Sequence, residues 1–371
     1  MSLARSIFQS VFSDIRAAVL APVNFAQDAR YTINGLREGK IPPKVVAWGI
    51  ISTVGAVALV SLLMFPIYWI FRMAVDPNMN SLFTPNAVIL PEAVELTNFA
   101  WVIGSIVTPS NIVLQAPLIG TSLTIPLPDF VSGITLFDAT QYGSGTNVIS
   151  DPVRNTSNFI QAFKNSMYVG VWTVIVGMLI VVPGAYGMSR RKFIGRKKLL
   201  YLYVLLTQVG GGLGIAVLIA LFTIFTGMGW YNNKLAVAVY YAASAVPFNT
   251  WLLKTYMDGI PTSYEEAAVV DGAPSWRVIY EIIIPLSVAG LATVFIFIFL
   301  AGWMDYIVAA TLLDPDNYTL PVELYALQDS QSVHWGRFSA FALAFALPVM
   351  LVYMFAQRYI EAGLSFGGVE G

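Results

Sequence analysis

One carboxylate stands where it could do chemistry inside a membrane. Asp305 lies in the stretch Leu286–Leu313, which is otherwise free of charged residues. A charged side chain within a bilayer is costly, and such residues usually face a cavity or a partner helix and serve ions, protons or substrates. Asp305, with Trp303 two residues before it, is therefore a candidate for the wall of a transport pathway. A polar contact between two helices explains an intramembrane carboxylate equally well, and both interpretations stay open.

The other residues suited to catalysis or metal binding form no recognisable site. The chain has no cysteine and one histidine, His334, which excludes thiolate chemistry and a cluster of imidazole ligands. Gly35–Lys40 is one residue too short for a phosphate loop and lacks the following serine or threonine. Gly210–Gly212 lies in an apolar stretch, where it predicts a helix break or a close helix contact. Energy for any transport must therefore come from an ion gradient or from another subunit.

The elements that must position these residues are membrane spans. Hydrophobic residues make up 57% of the 371 residues and charged residues only 11%, whereas soluble proteins carry about 25% charged residues. This composition predicts an all-α polytopic membrane protein, and the net charge of −1 indicates no nucleic-acid partner. Runs long enough to cross roughly 30 Å of hydrocarbon predict six transmembrane helices: Val45–Phe71, Met167–Met188, Leu199–Thr226, Leu235–Leu253, Leu286–Leu313 and Phe338–Gln357.

Lysine and arginine predict the orientation of these spans. With the N-terminus in the cytoplasm, the inner segments hold most of the basic residues, and every loop agrees with the positive-inside rule. Both termini and the polar segment 261–285 are therefore expected in the cytoplasm, and the chain in the cell membrane. The inner basic residues are Arg5, Arg16, Arg30, Arg37, Lys40, Lys44, Arg190, Arg191, Lys192, Arg196, Lys197, Lys198, Lys254, Arg277 and Arg358, and the outer ones are Arg72, Arg154, Lys164, Lys234 and Arg337.

The spans divide the chain into five expected parts. An extracytoplasmic loop separates the first span from a core of five spans, and a cytoplasmic segment lies at each end. The predicted boundaries are 1–44 for the N-terminal segment, 45–71 for the first span, 72–158 for the loop, 159–357 for the core and 358–371 for the tail.

The extracytoplasmic loop has a composition of its own between residues 104 and 150. It is rich in Thr, Val, Ile, Leu and Pro, and its prolines argue against a seventh spanning helix. We expect a small β-rich insertion there, with strands at Ser122–Ile125 and Gly133–Phe137. Two sequons, at Asn155 and Asn317, fall in predicted outer segments and are candidates for modification only.

The segment Ser263–Pro285 is a polar island between two apolar runs. Ser263 and Glu266 have the spacing of a capping box, and Gly272 suits the left-handed position that ends a helix. Pro274 suits the first turn of a second helix. The first helix spans about eight residues, and isolated helices in water need roughly 12–15. Tertiary contacts must therefore hold it, either within the chain or with a docking partner.

The same segment carries a pattern whose spacing is highly specific. Glu266–Ala268 is followed after three residues by Gly272, and after nine more by Ile282–Pro285. On an inner loop before a span, this resembles the EAA loop of permease subunits of ATP-binding-cassette importers, although the family usually has leucine in place of Ile284. Further segments resemble the carbohydrate branch of that family: Lys164–Ser166, Ala185–Arg190 with Gly195–Lys197, Val246–Phe248, Trp251–Leu253, Gly259–Pro261 and Trp303–Tyr306.

The resemblance covers about Phe159–Gly371 well and the first span loosely, but not the predicted insertion or most of the N-terminal segment. Residues Ala356–Gly371 look most similar to the smaller permease subunit of maltose-type importers. The resemblance implies the type I importer permease fold with six transmembrane helices. Prolines common in the family's third span are absent here, and Gly210–Gly212 stands nearby, so the helix shape there stays open.

The resemblance also implies partners. An extracytoplasmic sugar-binding protein would deliver a di- or oligosaccharide of maltose or trehalose type, and a second homologous permease would pair with this chain. Two ATP-binding subunits would bind inside and hold the ATP and Mg. This chain is therefore expected to be non-catalytic, with no cofactor or metal of its own. The last outer loop, Asp314–Arg337, would contact the binding protein.

Residue roles follow by the same analogy. The helix at Glu266 and the turn at Gly272 would fit a cleft on one ATPase, where small alanines allow close approach and Glu266 offers a charge. Closure of the ATPases would push this segment and tilt the spans in alternating access. The tail residues Gly368, Val369, Glu370 and Gly371 would reach the ATPase interface as well. The expected coupling residues are Glu265, Glu266, Ala267, Ala268, Asp271, Gly272, Ile282 and Pro285.

Three other functions remain as alternatives. A secondary transporter would use Asp305 as an ion or proton site and would work without ATP, but the sequence shows no inverted repeat. An intramembrane enzyme would need an acid–base or nucleophile cluster, which the sequence does not offer. An importer permease for a non-sugar solute would share the EAA pattern, but the tail and Trp303–Tyr306 argue against it.

Overall fold

The computed structural model of the chain describes residues 42–76, 90–91, 93–104, 106–107, 111–116, 121–126, 135–137, 157–212, 214–328 and 333–367. Residues 1–41, the sequon at Asn155 and the tail residues Gly368–Gly371 lie outside these ranges, so the predictions made for them stay predictions. Chain contacts divide the structure into two compact units, Met1–Trp69 and Ile70–Gly371.

The described residues are mostly helical. Their helices are α1 Pro43–Val75, α2 Thr97–Ile103, α3 Phe159–Arg190, α4 Arg196–Gly212, α5 Gly214–Gly227, α6 Lys234–Asp258, α7 Ser263–Val270, α8 Ser275–Val278, α9 Ile284–Leu286, α10 Val288–Trp303, α11 Ile307–Leu312, α12 Leu320–Ala326 and α13 Trp335–Gly367, with a π-helix at Ile279–Ile283 and a 3₁₀ turn at Pro315–Asn317.

Four of these helices are long and apolar enough to cross a membrane: α1, α3, α6 and α13. A fifth span results if Ser275–Leu286 and Val288–Trp303, which meet at a bend of 81°, are counted together. The helix α5 is apolar but shorter. The described structure is thus a helical membrane protein with four to five candidate spans, and six remains the prediction.

Two of the predicted spans are not continuous helices. In the third, α4 ends at Gly212 and α5 begins at Gly214, whose φ of +38° favours glycine; the predicted break at the glycines is confirmed. In the fifth, the prediction of one helix through Leu313 is wrong, because α10 ends at Trp303 and α11 begins only at Ile307. The carboxylate of Asp305 lies in this gap and accepts a hydrogen bond from the Val308 amide (3.0 Å), which competes with helix continuation.

The core of the second unit is built by α3, α6 and α10, and small residues let α3 and α10 approach closely. A Cβ added at Gly177 would lie 2.8 Å from Ile298 Cγ2, and one at Gly302 would lie 2.7 Å from Thr173 Oγ1. Only glycine fits at these distances, as is common where membrane helices associate without a hydrophobic drive. The close contact fixes α10 against α3 along its length.

The strands of the described residues form two antiparallel pairs. Ile106–Val107 (β1) pairs with Thr135–Phe137 (β4), and Asn111–Ala116 (β2) pairs with Thr121–Pro126 (β3). Both predicted strand positions coincide with observed strands, β3 and β4. Whether 104–150 forms one folded insertion stays a prediction.

Candidate functional site

The segment Ser263–Leu286 presents apolar side chains to the outside of the chain. No residue of α7 is buried, and Val270 at its end is 86% exposed. Trp276 on α8 and Tyr280 on the π-helix are also exposed. Exposed apolar side chains grouped in this way mark an interaction surface. A helix of 8 residues with no buried side chain gains little stability from packing against its own chain. Its exposed face is therefore suited to contact a partner.

The turn after α7 is confirmed, and the predicted capping box is wrong. Gly272 has φ +82°, its N–H donates to the Val269 carbonyl (3.0 Å), and the Ala273 N–H donates to the Ala268 carbonyl (2.9 Å). This bond pattern is a Schellman motif. At the other end, Ser263 is already the first helical residue, and the residue before it, Thr262, makes no side-chain cap. The hydroxyl of Ser263 is therefore not in the position that a capping box requires.

Glu265 holds α7 to the end of α3. Its carboxylate forms an ion pair with Arg190, and the two side chains are only 14% and 11% exposed. The Tyr186 hydroxyl donates to the same carboxylate (3.3 Å), and Arg190 Nη2 donates to the Ile260 carbonyl (2.9 Å). One arginine thus joins α3 to both the start of α7 and the chain just before it. This arrangement supplies the tertiary contact that so short a helix requires.

A second polar contact joins α3 to α6 at the same end. The Ser189 hydroxyl donates to Asp258 Oδ1 (2.7 Å), and Lys254 forms an ion pair with the same aspartate. Asp258 is the last residue of α6 and precedes the coupling segment by only a few residues. The ends of α3 and α6 therefore form one base from which the segment projects.

The expected coupling residues divide into an inward and an outward set. Glu265 faces the chain and is used in the Arg190 pair, whereas Glu266 is exposed. Ile282 is half-buried in the π-helix. The outward set, with exposed side chains or an exposed glycine, is Glu266, Ala267, Asp271, Gly272 and Pro285, and Ala268 is half-buried.

Asp305 and Trp303, the candidate pathway residues, lie on either side of the break after α10. Asp305 is half-buried, and its Oδ1 accepts from the Tyr241 hydroxyl (2.8 Å) as well as from the Val308 amide. Trp303 is fully buried and stacks between Phe299 and Phe345. In this chain both residues therefore have structural partners, and a role in the pathway stays a prediction.

The opposite end of α3 is held mostly by hydrogen bonds between neutral groups, with one bond from a lysine. The Asn165 amide donates to the carbonyls of Asp316 (3.2 Å) and Tyr318 (3.0 Å), and it accepts from Lys234 Nζ (2.8 Å). One residue further on, Ser166 Oγ accepts from the Leu320 N–H (2.7 Å). The loop before α12 is thus bonded directly to α3.

Asn232 closes the same network from a second loop. Its backbone is left-handed, with φ +57°, and its Oδ1 accepts from the Asp314 N–H (3.0 Å) and from Asn317 Nδ2 (2.9 Å). The Tyr231 hydroxyl donates to Asp314 (2.8 Å), and this hydrogen bond raises the pKa of Tyr231. Because the Asn317 amide nitrogen donates within the chain, the geometry disfavours attachment of a glycan at this sequon.

Reasoning from the sequence missed the two residues that fix the ends of α3. Arg190 counted only as one of many inner charges, and Asn165 only as part of a family segment. A signal existed for Arg190, because Phe159–Met257 contains several basic residues and no acidic one. The first carboxylates after Arg190 along the chain are Asp258, Glu265 and Glu266, which made them candidates for its partner.

The comparisons with known proteins agree on one family. The family model described as "binding-protein-dependent transport system inner membrane component" matches residues 174–366. The chain is 36% identical over 214 residues to the inner membrane ABC transporter permease protein YcjP of Escherichia coli, covering 57% of this chain and 75% of that protein. It is 32% identical over 273 residues to the galactooligosaccharides transport system permease protein GanQ of Bacillus subtilis, covering 73% and 89%.

Two further proteins extend the comparison. The maltose/maltodextrin transport system permease protein MalG of Salmonella typhimurium is 34% identical over 213 residues, covering 56% of this chain and 71% of that protein. A solved bacterial ABC transporter involved in the import of the acidic polysaccharide alginate matches with a TM-score of 0.58 over 86% of this chain and 98% of that one, at 19% identity, which shows a shared fold. Because the family model matches more than half of the chain, the chain belongs to the inner membrane components of binding-protein-dependent transport systems.

Proposed function

We propose that this chain is the permease subunit of an ATP-driven oligosaccharide importer and that Ser263–Leu286 is its docking element for a cytoplasmic ATPase. The observation that carries the docking role is the geometry of α7, which exposes Val270 and its neighbours while Glu265 ties it to α3. A surface made for an internal contact would bury these side chains. Instead, the segment is attached to α3 through Glu265 and leaves its apolar side chains exposed.

The similar permeases named for maltose, maltodextrin and galactooligosaccharides support a sugar as substrate. A di- or oligosaccharide of the maltose or trehalose type fits these names, delivered by an extracytoplasmic binding protein. A second permease would complete the translocation pathway. ATP and Mg would be held by the partner ATPases, so this chain contributes motion rather than chemistry.

The proposed topology has six transmembrane helices and both termini in the cytoplasm. The two ends of α3 support it, because the coupling segment bonds at Arg190 and the loop before α12 bonds at Asn165. Twenty-five residues of helix separate these positions, or about 37 Å at 1.5 Å per residue. This distance exceeds the roughly 30 Å of hydrocarbon in a bilayer. The proposed β-rich insertion, 104–150, would lie on the outer side with the loop.

Two carboxylates have different roles in this proposal. Glu266, Asp271 and the alanines on the outward set would meet the ATPase, with the tail Gly368–Gly371 reaching the same interface. Glu265 would instead keep the docking helix on its base. The pathway residues Asp305 and Trp303 would lie near the outer end of α10, in the broken stretch of that span.

Co-purification tests the proposal directly. The chain, expressed with its natural partners and extracted in mild detergent, should retain an ATPase subunit and a second permease. A purified preparation should hydrolyse ATP faster when its binding protein and maltotriose or galactotriose are added. Uptake that persists without ATP and is abolished by an ionophore would show an ion-coupled carrier instead.

A pair of variants tests the docking surface. Val270→Ser with Trp276→Ser should abolish retention of the ATPase, because both side chains are exposed in this chain and their loss removes apolar contact area. The matched control is Tyr201→Ser, an exposed aromatic on α4 outside the segment. Equal loss of ATPase in the control would contradict docking at Ser263–Leu286.

Gly272 tests the shape of the segment. Gly272→Val places a β-branched residue at φ +82°, where L-residues are strained by about 1–2 kcal/mol, although no neighbouring atom lies within 4 Å of the added Cβ. The expected result is ATP hydrolysis without sugar uptake. Gly272→Asn tolerates the left-handed region better and should keep more coupling. Unchanged uptake in the valine variant would count against the coupling role.

A further inference from the structure

Both loops that would meet partners are bonded to one helix. At one end of α3, Arg190 pairs with Glu265 of the coupling segment and donates to the carbonyl of Ile260. At the other end, Asn165 and Ser166 bond the loop 316–320. Side chains of α3 thus form hydrogen bonds to both of these loops. The helix α3 therefore joins the two ends of the molecule.

The bonds at each end are of a kind that transmits displacement. Arg190 contacts the Glu265 side chain of α7 and the Ile260 carbonyl just before α7, so a shift of α7 pulls on α3 through the first contact and is limited by the second. Asn165 is buried and donates to two backbone carbonyls of the loop. Because these hydrogen bonds are to backbone carbonyls, a displacement of Asn165 acts on the backbone of the loop and not only on a flexible side chain.

The two ends belong to one continuous helix, Phe159–Arg190, with Pro183 inside it. Contacts at Gly177 and Gly302 are so close that neither position accepts a Cβ, which locks α10 beside α3. Packed helices of this kind shift as rigid bodies between discrete positions, because a close-packed interface does not deform continuously. A displacement of α7 is therefore expected to reach the loop as a movement of α3, and a bend at Pro183 would reduce it.

We infer that α3 is the mechanical link between the ATPase contact and the outer loop, with Arg190 and Asn165 as its two positioning residues. This inference rests on the proposed docking role of Ser263–Leu286. It adds a route to that role: nucleotide-driven movement of the segment passes through the Arg190–Glu265 pair into α3 and through Asn165 into residues 316–320. The loop that a binding protein would meet then responds to the state of the ATPases.

A single fluorescent reporter on the outer loop can test this link. The chain has no cysteine, so Asp316→Cys, at an exposed side chain whose backbone carbonyl remains in place, gives one labelling site in this subunit. The label is a bimane. An assembled transporter that contains the unmodified chain is labelled in the same way, and its signal is subtracted to correct for label on partner subunits. The signal is the emission shift when the non-hydrolysable analogue AMP-PNP is added with Mg.

The inner end is tested by charge exchange. Arg190→Gln and Glu265→Gln should each reduce the AMP-PNP shift at least 5-fold, and Arg190→Glu combined with Glu265→Arg should restore at least half of it. If Arg190 and Glu265 served folding alone, variants purified in equal yield would all show the same AMP-PNP shift, and the charge exchange would change nothing. The matched control is Arg191→Gln, at the exposed arginine directly after Arg190 and outside Ser263–Leu286, and it should leave the shift unchanged.

The outer end is tested separately. Asn165→Ala should remove the shift at residue 316 but leave ATPase retention and basal hydrolysis unchanged, because the docking surface is intact. Arg190→Lys should give an intermediate shift if Arg190→Gln does not yield folded protein.

The outcomes separate the two proposals. A wild-type chain that retains no ATPase would refute the docking proposal. A wild-type assembly that retains its ATPase but shows no shift, or an Arg190→Gln assembly with a full shift, would overturn the link. Failure of the charge exchange to restore any response would overturn it as well.

Discussion

The two ends of α3 are held by different kinds of bond. At the Arg190 end, charged groups dominate: Arg190 pairs with Glu265, and Lys254 pairs with Asp258. At the Asn165 end, amides, carbonyls and a hydroxyl form most of the contacts. Neutral hydrogen bonds depend strongly on direction, whereas an ion pair near a surface tolerates changes of geometry. The comparison indicates that the geometry at the Asn165 end is more narrowly fixed than the geometry at the Arg190 end.

The largest effect on stability is expected at the outer end. Asn165→Leu removes two donated bonds and one accepted bond at a buried position, at about 1 kcal/mol each, or about 3 kcal/mol in all. Thermal unfolding in detergent should show the loss. The matched control is Gln161→Leu, an exposed residue that donates weakly (3.4 Å) to the same Asp316 carbonyl and should cost little. Equal losses for the two variants would contradict the special role of Asn165.

The next effect is expected at Asn232, where backbone and side chain can be separated. Asn232→Ala loses two accepted bonds at a half-buried position, at about 0.5 kcal/mol each, and keeps an unfavourable left-handed backbone at about 1 kcal/mol, for a total of about 2 kcal/mol. Asn232→Gly loses the same bonds but accepts φ +57°, so it should cost about half as much. Unfolding midpoints of the two variants give the measurement. Equal losses in the two variants would show that the side-chain bonds and not the backbone geometry decide here.

A smaller effect on stability is expected at the inner end. Arg190→Gln should lower the free energy of unfolding by about 1.5 kcal/mol, because the glutamine amide can still donate to the mostly buried Glu265 carboxylate, which also keeps the hydroxyl of Tyr186. The same variant should nevertheless lose most of the coupling. Unfolding and sugar uptake are measured on the same preparation. A loss of stability as large as that of Asn165→Leu would remove the distinction between the two ends.

The smallest effect is a pH dependence at the outer end. Burial raises the pKa of Glu323 on α12 above the ordinary 4.5, against a weaker opposing hydrogen bond from Asn158. The folded chain therefore keeps this proton to higher pH than the unfolded chain, and stability falls as pH rises from 4.5 through the raised pKa. Glu323→Gln should flatten the slope of unfolding midpoint against pH in that range. If the substitution leaves the slope of unfolding midpoint against pH unchanged, the pH dependence comes from groups other than Glu323.

The sequence predicted the parts whose signals are local. The Gly272 turn, the break at Gly210–Gly212 and the strand at Ser122–Ile125 all depend on residues close together in the chain. The spaced pattern from Glu266 to Pro285 indicated the family before any fold was known. Bonds between residues distant in sequence could not be predicted, because many positions offer the same chemistry. Glu265 and Glu266 are adjacent in the sequence and offer the same carboxylate to Arg190. Only the fold shows that Glu265 forms the ion pair and that Glu266 is exposed.

The errors have physical causes too. The capping box at Ser263 failed because the helix begins one residue earlier than that motif requires, and helix ends shift easily by a residue. The fifth span was expected to be continuous because hydropathy does not record where a carboxylate such as Asp305 takes an amide bond from the backbone.

The bend between Ser275–Leu286 and Val288–Trp303 has one more consequence. At 81° the two pieces are almost perpendicular, and the π-helix Ile279–Ile283 and Pro285 lie just before the corner. When α10 stands upright in the bilayer, Ser275–Leu286 lies roughly along the membrane surface. A sideways displacement of Ser275–Leu286 would then swing α10, because the two pieces are joined at the corner. A corner of this kind would turn movement along the membrane surface into tilting within the bilayer.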